Sequence, residues 1–253
     1  GNGDSRKTLN ATSYAFVGIT NTYSDPCTGN KLTAVIPEDE SGIEFDIMLY
    51  LENGYIRADI VGIRFSDVYN RDMTIPSKLT YTNITDKETK SIEYHVSGLG
   101  RFDGFSYGTN VSIGTLTIGN NITGIGEGLS RIMTNVTVDT VSMEASGYTV
   151  DTSTGLITIL THDGSTICSV LNRPNVQQEV YTVPDGVKVL DLTLFDKLSV
   201  KILNTNEVTT IRGSLDSIDG LERLNIGASL ANFEVWNAPL TLQYITVNED
   251  NAR

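Results

Sequence analysis

The chain has 253 residues, of which 39% are hydrophobic and 19% are charged, and its formal net charge at pH 7 is −13. A chain of this length and composition can bury the core of one large or two modest domains, and it holds no apolar run near the roughly 18 residues that a membrane-spanning helix needs. Its acidic excess repels phosphate backbones and anionic membrane surfaces. We therefore expect no nucleic-acid partner and no transmembrane segment.

The start of the chain is polar (GNGDSRKTLN), and we interpret residues 1–15 as a flexible spacer. Processed, exported proteins often begin in this way, and so do trimmed cytosolic ones. Two cysteines, Cys27 and Cys168, lie far apart in the sequence. They are as compatible with a disulfide in an oxidising compartment as with two buried free thiols. Both possibilities stay open at this point.

Residues 16–94 are predicted to form an antiparallel β region. The segment IEFDIMLYLENGYIRADIVGIRF alternates apolar and polar residues on both sides of Asn53-Gly54. Asn-Gly between alternating arms is a strong hairpin signal, because both turn positions need a positive φ. We therefore predict that residues 43–51 and 55–65 pair as strands, after a charged loop over residues 37–41. The whole region could be a small sandwich or a calycin-like barrel.

The second half of the chain repeats a pattern of three apolar residues, apolar-x-x-apolar-x-apolar. The middle residues of its five copies are Leu116, Val136, Leu198, Leu224 and Ile245. Single copies of so loose a pattern arise by chance, but these recur at similar intervals, apart from one long gap between Val136 and Leu198. Such spacing is typical of a solenoid built from short repeats.

One small polar residue lies between the last two apolar positions of every copy. These residues are Thr117, Thr137, Ser199, Asn225 and Thr246. In a strand, apolar neighbours that face the core leave the residue between them facing outward. The five copies are therefore predicted to stack as one parallel strand ladder, with these residues on its outer face as partner-binding candidates.

Several segments of the second half resemble the BspA-type leucine-rich repeats of Bacteroidetes surface proteins. YTVPDGVKVL (181–190), LTIGNNITGIGEGL (116–129) and LQYITVNEDN (242–251) are similar to parts of that repeat. YTVDTSTGLITILTHDGSTICSV (148–170) is similar to a hairpin insert found in such arrays, with Asp163-Gly164 at its turn. The resemblance covers roughly residues 73–253, although the alanine-phenylalanine motif common in the family is missing.

The resemblance implies a fold, a location and a function. The fold would be mostly β, with the antiparallel region followed by a short irregular solenoid over residues 95–253 that contains a hairpin insert at about 148–180. The protein would be exported, as an outer-membrane lipoprotein or a secreted protein. Its function would be non-catalytic adhesion, with an extracellular protein or glycan as partner and no cofactor.

The sequence offers little support for catalysis. His95 and His162 are the two histidines, and His162 stands beside Asp163 and Ser165 in a tight turn, where adjacent side chains point apart instead of forming a relay. We therefore predict no catalytic residue. A zinc site would need both histidines and both cysteines, none of which has close-pair spacing, so we predict no metal site.

Two alternatives to adhesion remain. A hydrolase could use carboxylates of the N-terminal region, although Glu38 and Glu40 resemble solvated loop charge, as do Glu249 and Asp250. A structural subunit of the cell envelope is the other alternative, and an exposed sheet edge pairing with a second copy would favour it. Trp236 either packs against the outside of the array or anchors a partner.

Glycine-rich stretches in the middle of the chain superficially suggest phosphate loops. They are GLGRFDG (98–104) and GNNITGIGEG (119–128). Neither has the strand, long helix and distant acid of a dinucleotide site. We therefore interpret their glycines as corners between strands and return segments.

Overall fold

The computed structural model describes residues 31–65, 70–153, 155–174, 180–196 and 198–248. These residues are mostly in strands, as predicted, and the predicted spacer over residues 1–15 lies outside them. The strands of the first half are β1 (Leu32–Val35), β2 (Glu44–Glu52), β3 (Tyr55–Arg64), β4 (Asn70–Thr74), β5 (Lys78–Ile84), β6 (Thr89–Leu99), β7 (Val111–Ile118), β8 (Gly124–Ile125) and β9 (Val136–Met143).

The second half continues with ten more strands. They are β10 (Tyr148–Asp151), β11 (Ile157–Thr161), β12 (Ile167–Leu171), β13 (Val180–Thr182), β14 (Val189–Asp191), β15 (Ile202–Asn204), β16 (Thr210–Ser214), β17 (Arg223–Ile226), β18 (Asn232–Trp236) and β19 (Tyr244–Val247). The helical segments among the described residues are short: helix α1 (Gly128–Ile132) and two 3₁₀ helices, Leu192–Phe195 and Leu215–Ser217.

The N-terminal strands form a closed ring in the order β1-β2-β3-β6-β5, with β5 returning to β1. Four of the five neighbouring pairs are antiparallel, as predicted for this region. The fifth pair, β3 with β6, is parallel and closes the ring. Closure gives every strand of the ring a hydrogen-bonded neighbour on both sides, so none is left as an open edge.

The hairpin predicted at Asn53-Gly54 is present. β2 and β3 pair antiparallel with Glu52 opposite Tyr55, which leaves a two-residue turn. Both turn residues have positive φ, 52° for Asn53 and 81° for Gly54. The turn sets the register of this pair as far as Ile47 opposite Ile60, beyond which a bulge between Asp46 and Ile47 shifts it.

The core of the ring consists of the inward side chains of its strands, among them Phe45, Ile47 and Leu79, which are fully buried. The outer side of β3 is also covered, because the chain after β6 crosses it. The Gly100 N–H donates to the Ile60 carbonyl at 2.8 Å, and the Phe105 N–H donates to the Val61 carbonyl at 2.9 Å. This second cover explains why residues 58–63 of β3 are buried on both faces, whereas Tyr55 at its start is exposed.

A parallel sheet, β4-β7-β9, follows the ring and shares one hydrophobic core with it. β8 adds to the end of β6 in parallel, and α1 leads from it toward β9. The boundary predicted between residues 94 and 95 lies inside strand β6, whose two halves pair with different neighbours.

The two glycine-rich stretches pack against each other by backbone contact. A Cβ atom added to Gly104 would lie 2.0 Å from the carbonyl oxygen of Gly128. Gly100 has a φ of 62° and also faces the start of α1 at close range. These glycines let two chain segments approach each other closely, in addition to making the predicted corners.

The second half begins with a three-stranded antiparallel sheet in the order β10-β11-β12. Asp163 and Gly164 lie in the turn between β11 and β12, where Gly164 has a φ of 73°. One side of this sheet packs into the core of the solenoid, through Leu156, Leu160 and Ile167. The sheet therefore covers the first coil.

The remaining strands form a solenoid with two parallel ladders, β13-β15-β17-β19 and β14-β16-β18. Tyr181, Leu203, Leu224 and Ile245 are successive register partners in the first ladder. Thr182 and Asn204 in neighbouring strands are 22 residues apart, and Asn204 and Asn225 are 21 residues apart, which gives the length of one coil. The parallel ladder predicted for this part of the chain is confirmed, although its register differs from the predicted one.

The segment YTVPDGVKVL connects the two ladders within the first coil. It turns between β13 and β14, with a φ of 89° at Gly186 and the Val187 N–H donating to the Pro184 carbonyl at 3.4 Å. The carboxylate of Asp185 accepts a hydrogen bond of 2.6 Å from Asn206 Nδ2 of the next coil. Asp185 is therefore a residue of the turn that also joins two coils.

Candidate functional site

The outward side of the β13-β15-β17-β19 ladder is the most regular surface of the solenoid. Middle residues of the first three strands point into the core and are fully buried, so their neighbours on either side point outward. The outward residues form two rows across the strands, and we call both rows together the ladder face. The rows are Thr182, Asn204, Asn225, Thr246 and Val180, Ile202, Arg223, Tyr244.

Hydrogen bonds between side chains run along the first row of the ladder face. Asn225 Nδ2 donates to Asn204 Oδ1 at 2.7 Å, and Asn204 Nδ2 donates to Thr182 Oγ1 at 3.1 Å. Both asparagines are half-buried, so their amides need partners, and the stacked coils supply them at the strand spacing. The amide planes are therefore fixed relative to one another.

The layer beneath the ladder face holds it rigid. Tyr181, Leu203 and Leu224 stack directly under it and are fully buried. The buried hydroxyl of Thr205, just after β15, accepts a hydrogen bond of 3.0 Å from the Gly227 N–H of the next coil. Such a surface keeps its shape on binding, which reduces the entropy that a ligand must offset.

The second row of the ladder face adds apolar area and one charge. The Arg223 guanidinium lies 4.6 Å from the centre of the Tyr244 ring, which is 55% exposed. The other ladder of the solenoid differs, because Asp191, Arg212 and Glu234 form a charged row there. The ladder face is thus mainly neutral on a chain of net charge −13. Stacked amides beside an aromatic ring suit a polar, uncharged ligand.

An open cavity of about 630 Å³ lies at the first-coil end of the ladder face. Thr182 belongs both to the ladder face and to the lining of the cavity. Asp151 and Ser153, at the end of β10, form the other side of the cavity. Asp185 and Asn206 also line it. The ladder face therefore continues into a polar depression large enough for a small ligand.

The structure brings together two of the five residues predicted as one ladder. Asn225 and Thr246 are register partners on β17 and β19. Ser199 is not in that row, because it forms an isolated parallel bridge with Asp219 on another side of the coil. The prediction of a single five-membered ladder is therefore wrong, whereas a role of these residues in binding stays a prediction.

Thr117 and Thr137 lie in the separate β4-β7-β9 sheet. Their matching places in the apolar pattern predicted them as neighbours, but Thr117 is opposite Ser142 and Thr137 is opposite Ser112. The offset between β7 and β9 is 25, as the pair of Ser112 and Thr137 shows. The extra residues accommodate β8 and α1, which connect the two strands. An apolar pattern cannot reveal such a longer connection.

Sequence reasoning missed Thr182 and Asn204 of the ladder face. The signal that could have found them is the even spacing of Tyr181, Leu203, Leu224 and Ile245, each followed by a threonine or an asparagine. The three-residue apolar pattern fits Phe195, Leu198 and Val200, whereas the polar Thr205 breaks it around Leu203, which lies in the row of Leu224.

The two histidines lie apart and both are exposed. His95 is on β6 opposite Lys78, and His162 is in the β11–β12 turn. In that turn Asp163 Oδ1 accepts hydrogen bonds from Ser165 Oγ at 2.8 Å and from Thr161 Oγ1 at 2.7 Å, which lower the pKa of Asp163 to about 2. These contacts hold the turn together, and His162 takes no part in them.

Asp59 on β3 is a buried carboxyl that sequence reasoning did not select. It accepts hydrogen bonds from the backbone N–H groups of Arg101 at 2.9 Å and Phe102 at 3.0 Å. Burial raises the pKa of Asp59 to about 7, even though both donors lower it. Because Asp59 is fully buried and bonded to the crossing loop, it anchors that loop and cannot reach a substrate.

We expect the buried carboxyl to make folding pH-dependent. The unfolded chain loses the Asp59 proton near pH 3.9, whereas the folded chain keeps it up to about pH 7, so the free energy of unfolding falls as pH rises through this window. The contribution is roughly 2–3 kcal/mol between about pH 5 and about pH 8. Urea unfolding of Asp59→Asn, which lacks this titration, should show a shallower pH profile than the wild type. Identical profiles would contradict the assignment.

Cys168 is buried in the core, and burial raises the pKa of its thiol to about 11. Cys27, Glu249 and Asp250 lie outside the described residues, whereas Glu38 and Glu40 are exposed there. Within the described ranges, no group of three or more histidine, cysteine, aspartate or glutamate side chains could hold a metal ion. None of the helices described has the length and apolar character to cross a membrane.

Comparisons of the chain with protein-family models, with curated proteins and with solved structures found no match in any of the three. The fold class, a mostly β chain with a parallel solenoid, therefore rests on the structure itself. The BspA-type assignment stays a prediction from the sequence.

Proposed function

We propose that this chain is a non-catalytic recognition protein, exported to the cell surface or secreted, that binds an extracellular protein or glycan through the ladder face. The observation that carries the proposal is the fixed row of Asn204 and Asn225 amides beside the exposed Tyr244 ring. Amides and aromatic rings recognise hydroxyl-rich or peptide ligands without chemistry on them. The sequence resemblance to bacterial surface repeats supports the same function.

The location of the ladder face also supports binding. A solenoid offers an extended binding surface, a row of equivalent positions with one from each coil. A linear ligand can therefore contact several coils in register. Here the coils repeat every 21 or 22 residues, and the cavity lined by Thr182 and Asp185 extends the row at one end. A chain-like partner, either a glycan or an extended polypeptide, fits this geometry best.

An array of glycans and matrix proteins, probed with the wild-type chain and two variants, tests the proposal. We expect the double variant Asn204→Arg/Asn225→Arg to bind the retained ligand roughly tenfold more weakly, a loss of about 1.4 kcal/mol, because both amides are replaced by bulky charges. Asn232→Arg is the matched control, since Asn232 is the corresponding outward asparagine of the other ladder. Equal binding by the double variant and the wild type would contradict the proposal.

A further inference from the structure

The last coil of the solenoid exposes a group of large apolar side chains. Their exposed fractions lie between 42% and 106%, and the residues are Phe233, Trp236, Leu240, Ile245 and Val247. These side chains are exposed because no further described strand covers them. Ile245 is 51% exposed, whereas Leu203 and Leu224, which occupy the same place in earlier strands of the ladder, are fully buried. Trp236 is 59% exposed. We call this surface the terminal face.

The terminal face is also an open edge of both ladders. β19 pairs with β17 and β18 pairs with β16, and neither has a second neighbour among the described strands. The Tyr244 N–H donates inward to Glu222, so by alternation the N–H groups of Ile245 and Val247 point away from the stack. On β18 the N–H groups of Phe233 and Val235 also point away from the stack, since the Asn232 N–H donates inward to the Thr209 carbonyl.

The charge pattern favours association at this surface. Between residues 230 and 248 the sole charged residue is Glu234, although the chain carries a net charge of −13. Two copies that meet through their terminal faces therefore bring few like charges together, whereas most other orientations oppose acidic surfaces.

The shape of the surface identifies its occupant. A coil end is matched by another coil end with the same strand spacing and outline. The first coil of this chain is covered by the β10-β11-β12 sheet, so within the described ranges the uncovered coil end is the terminal face itself. A coil end that meets the same coil end of a second copy pairs about a two-fold axis.

We propose that two copies of this chain pair through their terminal faces about a two-fold axis. β19 then pairs antiparallel with the partner's β19, which continues the ladder face across the interface. The five apolar side chains bury on the order of 500 Å² in each copy, or roughly 1,000 Å² in total, which is about the threshold for a specific interface. The ladder faces of the two copies then form one longer surface, and the pairing does not depend on which ligand they bind.

Sedimentation velocity of the full chain over micromolar to submillimolar concentrations tests this pairing. We expect a monomer–dimer equilibrium in the wild type and a dimerisation at least roughly tenfold weaker in Ile245→Lys. Leu240→Lys, at a fully exposed position, gives the same loss without disturbing the fold. Ile84→Lys, at a 75% exposed isoleucine of the N-terminal ring, is the matched control and should dimerise like the wild type.

Amide hydrogen exchange of the wild type tests the strand pairing itself. The N–H groups of Ile245 and Val247 should become protected as the concentration rises, whereas those of Tyr244 and Thr246, bonded within the chain, should not change. A wild type that stays monomeric at every concentration overturns the proposal. So does a dimer that both lysine variants of the terminal face leave intact, or one that forms without added amide protection.

Discussion

Gly104→Ala should lower the melting temperature of the protein by roughly 6–12 °C, which corresponds to about 3 kcal/mol for a chain of this size. The new Cβ atom would lie 2.0 Å from the carbonyl oxygen and 2.6 Å from the Cα atom of Gly128. Both are backbone atoms, so no flexible side chain can move aside. The loop over residues 100–105 must shift, and it then loses its hydrogen bonds to β3.

Gly147→Ala is the matched control for this prediction. Gly147 has ordinary φ, and a Cβ atom there would meet no atom within 4 Å. We expect its melting temperature to stay near that of the wild type, because a substitution without new contacts changes stability by no more than about 0.5 kcal/mol. Equal melting temperatures for Gly104→Ala and Gly147→Ala would contradict the close backbone packing of the two glycine-rich stretches.

Tyr181→Ala should cost about 3–5 kcal/mol of stability, the usual range for removing a buried aromatic ring. Tyr181 is fully buried and its ring meets that of Phe195 edge-on, with centres 4.9 Å apart. Its hydroxyl is 2.7 Å from Thr158 Oγ1 of the β10-β11-β12 sheet, and burial raises the pKa of the phenol. The side chain thus joins that sheet to the first coil of the solenoid.

Tyr181→Phe separates the two contributions of this side chain. It keeps the ring but leaves the buried Thr158 hydroxyl without its partner, which should cost about 1–3 kcal/mol. Tyr55→Ala, at a 64% exposed tyrosine, serves as control and should change stability little. Urea unfolding of the variants gives the comparison. If Tyr181→Ala were no more costly than Tyr55→Ala, the position of Tyr181 in the core would be wrong.

Features that depend on neighbouring residues could be predicted from the sequence. Asn53-Gly54 alone determines a two-residue turn, because few other residue pairs accept two positive φ angles. Pro184, Asp185 and Gly186 determine the turn between β13 and β14 in the same way. In both cases the chemistry of three or four residues decides the local conformation, and the structure agrees.

Features that depend on distant segments could not be predicted. The parallel pairing of β3 with β6 joins Ala58 to Val96, and no local pattern announces such a pair. The burial of Asp59 follows from it, since the chain that leaves β6 crosses the outer side of β3. A carboxyl in an alternating strand normally faces solvent, and no residue near Asp59 in the sequence indicates a cover there.

The register of the ladder face was the main error of sequence reasoning, and it has a simple origin. Each coil has three sides, so inward residues of a side other than the ladder face can satisfy a loose apolar pattern. Leu198 and Leu203 both point inward, but Leu203 alone lies in the row of Leu224. Only the pairing of strands decides between them, and that pairing is set by the packing of whole coils.

Nuclear magnetic resonance titration of the chain with the ligand retained by the array tests the central claim most directly. The side-chain amide groups of Asn204 and Asn225 give their own signals and lie at the centre of the ladder face. We predict that these signals, with those of the neighbouring Arg223 and Tyr244, shift most as ligand is added. Shifts confined to the N-terminal ring, with both amides unchanged, would contradict recognition through the ladder face.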